Sequence, residues 1–304
     1  METAFAQLYL HVLNFTFTNF MDPDAEAEQA ASPYTLISTV FISTVVFTAC
    51  HSYTTDDTLS AGSAGDSLPD TTQQAAMKPA PKKKKKTIYL TFDDGPNKGT
   101  AKLKDIIEEE QVPVTLFIVG EHVYGSKAQS AVYDSLVCSK WFEIANHSYT
   151  HAFGNKFSRF YAVPDSAVKD FIRCADSLGL TTNIIRTPGR NIWRTPTVSS
   201  TDIKTSTAAA DSLQQRFTIM GWDLEWHFDQ QLKLQSTDDE LLHQIDSLIT
   251  HGCTKTPGHL VLLAHDQVYA DGSDSLSLHR LIRKLKATEE YDFETVSRYP
   301  GLKN

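Results

Sequence analysis

The first 77 residues contain no lysine or arginine, although they carry nine carboxylates. That stretch accounts for the whole net charge of −9, because the remainder balances 28 basic against 28 acidic residues. A neutral remainder argues against nucleic acid as the main partner. Cysteine is scarce: Cys50, Cys138, Cys174 and Cys253 show no CxxC spacing, which argues against a disulfide scaffold and a cysteine metal site. Long apolar runs are also missing. Residues 34–49 are apolar and uncharged but too short for a comfortable membrane span. No internal repeat is evident. What is present is 304 residues with 41% hydrophobic content, enough to bury one full core with extensions on it.

Three segments follow from composition. Residues 1–50 read as a leader whose apolar run stops at Cys50, a length that suits a signal-peptide core. Phe47-Thr48-Ala49-Cys50 resembles a bacterial lipoprotein cleavage box, although no basic residue precedes it. The resemblance implies a lipidated Cys50, membrane anchoring through that lipid, and a place in the cell envelope as a periplasmic or surface lipoprotein. Residues 51–86 are poor in large apolar side chains and end in five lysines. Such a segment cannot bury enough surface to offset its ordering entropy and reads as a flexible tether. Residues 87–304 form the globular part.

The globular part is organised around Thr87 to Asn97. Ile88, Leu90 and Phe92 alternate with Tyr89 and Thr91, which is strand periodicity. Gly95 and Pro96 end the run, so Asp93 and Asp94 sit at the carboxyl end of a buried strand, the edge at which barrels and open α/β sheets bind ligands. Adjacent carboxylates repel, and a cation or a shared proton is the usual resolution. Further ligands are supplied by His147 and His151, which follow a short apolar strand at 141–144. Their i, i+4 spacing places both imidazoles on one side of a helical turn. Asp94, His147 and His151 would make a two-histidine, one-carboxylate metal site with open positions.

The rest of the pattern alternates strand and helix. Helices are expected at 100–111, 126–138, 164–178, 239–250 and 276–287. Apolar strands are expected at 114–119, 183–185, 217–220 and 260–263. This implies a parallel barrel or open sheet.

Thr91-Phe92-Asp93-Asp94-Gly95-Pro96 with His147-Ser148-Tyr149-Thr150-His151 resembles the first two motifs of the polysaccharide deacetylases, carbohydrate esterase family four. Arg186-Thr187-Pro188-Gly189, Trp222-Asp223-Leu224-Glu225-Trp226 and Leu263-Ala264-His265 resemble the remaining three, in order. The resemblance implies an α/β fold, a distorted parallel (β/α) barrel of about seven βα units. It implies Asp94, His147 and His151 as ligands of a divalent metal, Zn²⁺ or alternatively Co²⁺. It implies Asp93 as general base held by Arg186, and His265 as general acid oriented by Asp223. Gly189 would donate its N–H to an oxyanion, and Trp226 and Leu263 would receive the acetyl methyl. Asp266 should point away from its neighbour on an extended segment.

Two departures stand out. Gly189 is followed by Arg190, expected to add a cation near the cleft, and Glu225 stands before Trp226 where the family carries Asp. The implied activity is metal-dependent removal of acetyl groups from an N-acetylated polysaccharide such as peptidoglycan, a chitin-like polymer or an exopolysaccharide. An O-acetyl xylan esterase would use the same residues, and an inactive glycan-binding lipoprotein is the non-enzymatic alternative.

Overall fold

The computed structural model describes residues 85–302. The leader, Cys50 and nearly all of the tether lie outside the described residues. Ten strands form one sheet in the order β6-β5-β7-β4-β3-β2-β1-β9-β8, with β10 also pairing with β1. Strands β1 (Lys86–Asp93), β2 (Val114–Ile118), β3 (Phe142–Asn146), β4 (Ile184–Ile185), β7 (Thr218–Ile219), β8 (Leu224–Glu225), β9 (His259–His265) and β10 (Tyr291–Phe293) pair in parallel. Helices connect them, as the alternating pattern predicts, except that β7 leads into β8 through a short loop. The result is a mixed α/β half-barrel. Among the described residues no ladder joins β8 to β6, so the sheet stays open there.

β1 shows why the residues take these places. Successive side chains of a strand point to opposite faces. Ile88, Leu90 and Phe92 enter the main core with Leu103, Ile106 and Ile107 of α1 (Thr100–Glu110) and Leu278, Leu281 and Ile282 of α2 (Gly272–Ala287). Tyr89 faces the other way and packs with Phe117, Ala145, Trp193, Met220 and Val261 inside the half-barrel. A parallel strand buried on both faces reads as a near-continuous apolar run, and β2 has all five of its residues buried. Thr91 and Asp93 continue the inward row of Tyr89, which carries a carboxylate to the carboxyl end of the barrel interior.

Two features differ from expectation. Ile192–Arg194 and Ser199–Thr201 form an antiparallel pair, β5 and β6, at one end of the sheet. These strands are too short and too polar to show a period. The residues after His147 do not form a right-handed helical turn. His151, Ala152, Phe153, Gly154 and Asn155 have φ of 45, 55, 60, 67 and 67°, a left-handed turn.

Candidate active site

The strands end on one rim, and the motif residues sit there. Asp93 closes β1 and lies in register with His265 at the end of β9. His147 follows β3, Arg186 follows β4, and Glu225 lies on β8 beside Leu263 of β9.

Asp94 and the two histidines converge. Asp94 Oδ1 lies 3.5 Å from His147 Nε2 and 3.1 Å from His151 Nε2. The second ring nitrogens are already engaged. His147 Nδ1 donates to the Arg186 carbonyl at 3.0 Å, and His151 Nδ1 pairs with Asn155 Oδ1. With Nδ1 as donor, each neutral imidazole presents an Nε2 lone pair to Asp94.

Asp94 Oδ1 is itself buried and makes no aligned hydrogen bond. Three electron-pair donors therefore face a common point, which a cation satisfies, or a proton at lower pH. Four ligands at about 2.0–2.2 Å in a tetrahedron stand about 3.3–3.6 Å apart, close to the separations of 3.5 and 3.1 Å. The donor set therefore fits a divalent metal. A second group, Glu109, Glu110 and His279, is engaged by Arg283, which contacts both glutamates.

Backbone strain concentrates on the ligand loops. Asp94 (φ 75°), Ser148 (φ 67°) and His151 (φ 45°) all adopt the left-handed region, which costs about 1–2 kcal/mol per residue. The neighbours over-determine these conformations. His122 Nδ1 donates to the Asp94 carbonyl at 2.7 Å. Asp170 accepts from the backbone N–H groups of Tyr149 and Thr150 at 3.0 and 3.1 Å. His122 and Asp170 lie outside the sequence motifs, and only the three-dimensional arrangement brings them to the site.

Asp93 and Arg186 form a buried pair. Arg186 is fully buried, and its Nη1 donates to Asp93 Oδ1 and Thr91 Oγ1, each at 2.8 Å. Its other donors reach the carbonyls of Met220 (3.1 Å) and Gly221 (3.0 Å), and the guanidinium lies over the Phe117 ring at 4.1 Å. Asp93 Oδ2 faces His147 Nε2 at 3.6 Å. Charge pairing shapes this centre. Burial alone would raise the Asp94 carboxyl, but the imidazoles of His147 and His151 outweigh it and hold the group well below the usual range. Burial alone would lower His151, yet Asp94 lifts it above its ordinary value.

His265 Nε2 stands 4.0 Å from Asp94 Oδ2, the Phe228 ring lies 5.0 Å away, and His265 Nδ1 is buried without a partner. The expected Asp223–His265 contact is absent. Both Asp223 oxygens accept backbone N–H groups, from Lys255 at 2.7 Å and Val261 at 2.8 Å. Asp223 therefore staples the start of β8 to β9 and to the segment leading into it. The fourth-motif carboxylate on the His265 side is Glu225. Burial raises its pKa, but His227, His265 and Arg186 together bring it down.

Arg190 also departs from expectation. It is buried, donates to the Gly189 carbonyl and Ser206 Oγ, and packs against the rings of Phe157 and Tyr161, so it adds no cation to the cleft. Gly189 has φ 60° and abuts the Phe157 ring, which leaves no room for a Cβ. Trp226 is fully buried in the main core with Nε1 donating to the Ser236 carbonyl, and Leu263 is almost as enclosed.

These features define an α/β half-barrel with a two-histidine, one-carboxylate centre on its carboxyl rim. Comparison with known proteins points the same way as the motifs. Residues 80–209 match the family model described as polysaccharide deacetylase. A chitooligosaccharide deacetylase of Rhizobium leguminosarum bv. phaseoli is 39% identical over 66 residues, 21% of this chain and 28% of that protein. YheN of Bacillus subtilis is 25% identical over 185 residues, 60% of this chain and 58% of that protein. The chain thus spans less than two thirds of the length of either. A CE4 esterase of Streptococcus mutans shares the fold, at 21% identity and TM-score 0.53 over 69% of this chain and 86% of that one.

Proposed function

We propose that the protein is a metal-dependent hydrolase that removes acetyl groups from N-acetylated sugars of a polysaccharide. The observation that carries this reading is the convergence of His147 Nε2 and His151 Nε2 on the buried, unsatisfied Asp94 Oδ1. These three residues would hold the cation. When bound, a divalent ion such as Zn²⁺ supplies a Lewis acid that makes water more acidic near neutrality and polarises an acetyl carbonyl.

The chain's own groups supply the rest. Asp93 is the base that takes the proton from the attacking water, and Arg186 holds it oriented. His265 sits across the strand pair from Asp93 and gives a proton to the leaving nitrogen. Imidazole suits that transfer because its pKa lies near neutrality. The Gly189 N–H supports the developing oxyanion. An amide substrate is favoured by the chitooligosaccharide deacetylase relative, which is 39% identical over its 66 matched residues.

Acetate release from N-acetylglucosamine oligomers, peptidoglycan and acetylated xylan, with and without chelator, tests the reading. Chelator-sensitive release from the N-acetylated polymers is expected. Release from xylan alone would assign an O-acetyl esterase, and no release from any polymer would favour a glycan-binding protein.

Cys50 is proposed as a lipid attachment point at the cell envelope, on the strength of the uncharged run that ends there. Cys50→Ser should move the protein out of the membrane fraction and abolish fatty-acid labelling. Membrane association without label in the unaltered chain would contradict this.

A further inference from the structure

Asp266 follows His265 directly and is fully buried. Its carboxylate accepts from Asn97 Nδ2 and from Thr100 Oγ1. Thr100 Oγ1 in turn accepts from the Asn97 N–H at 2.7 Å, and Asn97 Oδ1 accepts from the Gly99 N–H at 3.0 Å. Both glycines of the loop make room for this residue. A Cβ on Gly95 would stand 2.7 Å from Asp266 Oδ2, and one on Gly99 would stand 1.9 Å from the Asp266 carbonyl oxygen. The loop that begins with Asp93 and Asp94 is thus moulded around Asp266.

From this geometry we infer that Asp266 is a positioning residue for the metal centre, tying the Asp94 loop to the end of β9 where His265 stands. The inference rests on the proposed metal site and adds a residue that touches none of its ligands. It has a physical basis in the strain at Asp94. A non-glycine residue at φ 75° stays there only while its surroundings hold it. On one side the holders are His122 on the Asp94 carbonyl, the Val119 N–H on the Gly95 carbonyl (3.0 Å) and Gln129 Nε2 on the Pro96 carbonyl (2.9 Å). On the β9 side the holder is Asp266. Burial, together with the charges of Asp94 and Asp93, pushes its carboxyl up to about 7, although Thr100 and Asn97 oppose the rise. Such a group is costly to bury, and its two loop donors give it a role that a plain core residue would not fill.

The test is the affinity of the full chain for Zn²⁺, measured by competition with a chromophoric chelator, beside melting temperatures with and without the metal. Asp266→Ala should weaken Zn²⁺ binding about tenfold or more, the range seen when residues behind metal ligands are removed. Asp266→Asn should fall between, because an amide oxygen can satisfy one donor while its NH₂ meets the other. A purely structural residue would lower both melting temperatures alike and leave Zn²⁺ affinity within twofold of the unaltered chain, which would overturn the inference. Should Asp266→Ala fail to fold, Asn97→Ala and Thr100→Val each delete one donor and carry the same test. The outcomes also separate this inference from the function. Normal acetate release with unchanged affinity in the variants sinks only the role of Asp266. Weakened affinity in a protein that releases no acetate sinks only the reaction. An unaltered chain that binds no Zn²⁺ overturns both.

Discussion

Arg186 Nη1 meets Asp93 Oδ1 at 2.8 Å with both side chains out of solvent, while the Arg186 carbonyl accepts from His147 Nδ1 at 3.0 Å. One residue thus fixes a proposed base through its side chain and a proposed metal ligand through its backbone.

Replacing Arg186 separates the two contacts. Arg186→Met keeps the carbonyl that orients His147 but leaves Asp93 a buried, uncompensated charge. Breaking such a pair costs about 3–5 kcal/mol. Chemical denaturation should show a loss of that size, and turnover should fall more steeply than metal affinity. A stability change below about 1 kcal/mol, the level of an exposed pair, would show that the ion pair is not what holds this centre.

The general acid is testable by leaving group. His265→Ala should suppress cleavage of an acetamido sugar far more than cleavage of an activated aryl acetate, whose leaving group needs little protonation. The rates of both reactions in one preparation give the answer. Equal losses would remove His265 from the role of acid. Glu225→Gln is the companion variant. It should shift the pH profile of the amide reaction, whereas Asp223→Asn should act mainly on stability, since both Asp223 oxygens serve backbone N–H groups.

Much of this was legible in the sequence, for identifiable reasons. β1 was readable because a two-residue period and a Gly-Pro stop are local signals, and the amphipathic helices were readable in the same way. The ligand set was readable because adjacent carboxylates and spaced histidines are chemistry written in residue types. The local geometry of the second motif was not. Spacing at i, i+4 suggests a right-handed turn, yet Ser148 and His151 both take left-handed φ, and Asp170, a helix residue 19 positions after His151, holds the Tyr149 and Thr150 N–H groups between them. The partners of Asp223 are decided by register. Its oxygens meet the N–H groups of Lys255 and Val261, which no local pattern announces. Arg190 stands next to the third motif, which suggests a cation near the cleft. The rings of Phe157 and Tyr161 cover it.

The pH dependence of the metal-free protein has a definite sign. Burial would lower the His151 pKa, but Asp94 outweighs it and holds the imidazole above the ordinary value of 6.5. A histidine with a raised folded pKa stabilises fully below its unfolded value and loses that contribution as pH rises through the folded one. The chelator-treated protein should therefore lose stability as pH rises above about 6.5. Asp94 acts at the other end. Its depressed pKa contributes above the ordinary carboxyl range and is lost only in acid. Because a cation displaces the His151 proton, the gain in melting temperature on adding Zn²⁺ should grow over the same rising window. A gain that shrinks with pH would contradict the assignment of His151.

The central claim is that two adjacent carboxylates have different tasks, Asp94 as ligand and Asp93 as base. Equilibrium dialysis of Asp93→Asn and Asp94→Asn against Zn²⁺, with turnover measured on the same samples, addresses it most directly. Asp94→Asn should lose bound metal, because it removes the anionic oxygen on which both imidazoles converge. Asp93→Asn should keep the metal and lose about 10²–10⁴ in rate, the usual cost of removing a general base. If both variants retain zinc like the unaltered chain, or both lose it alike, the division of labour between Asp93 and Asp94 is wrong.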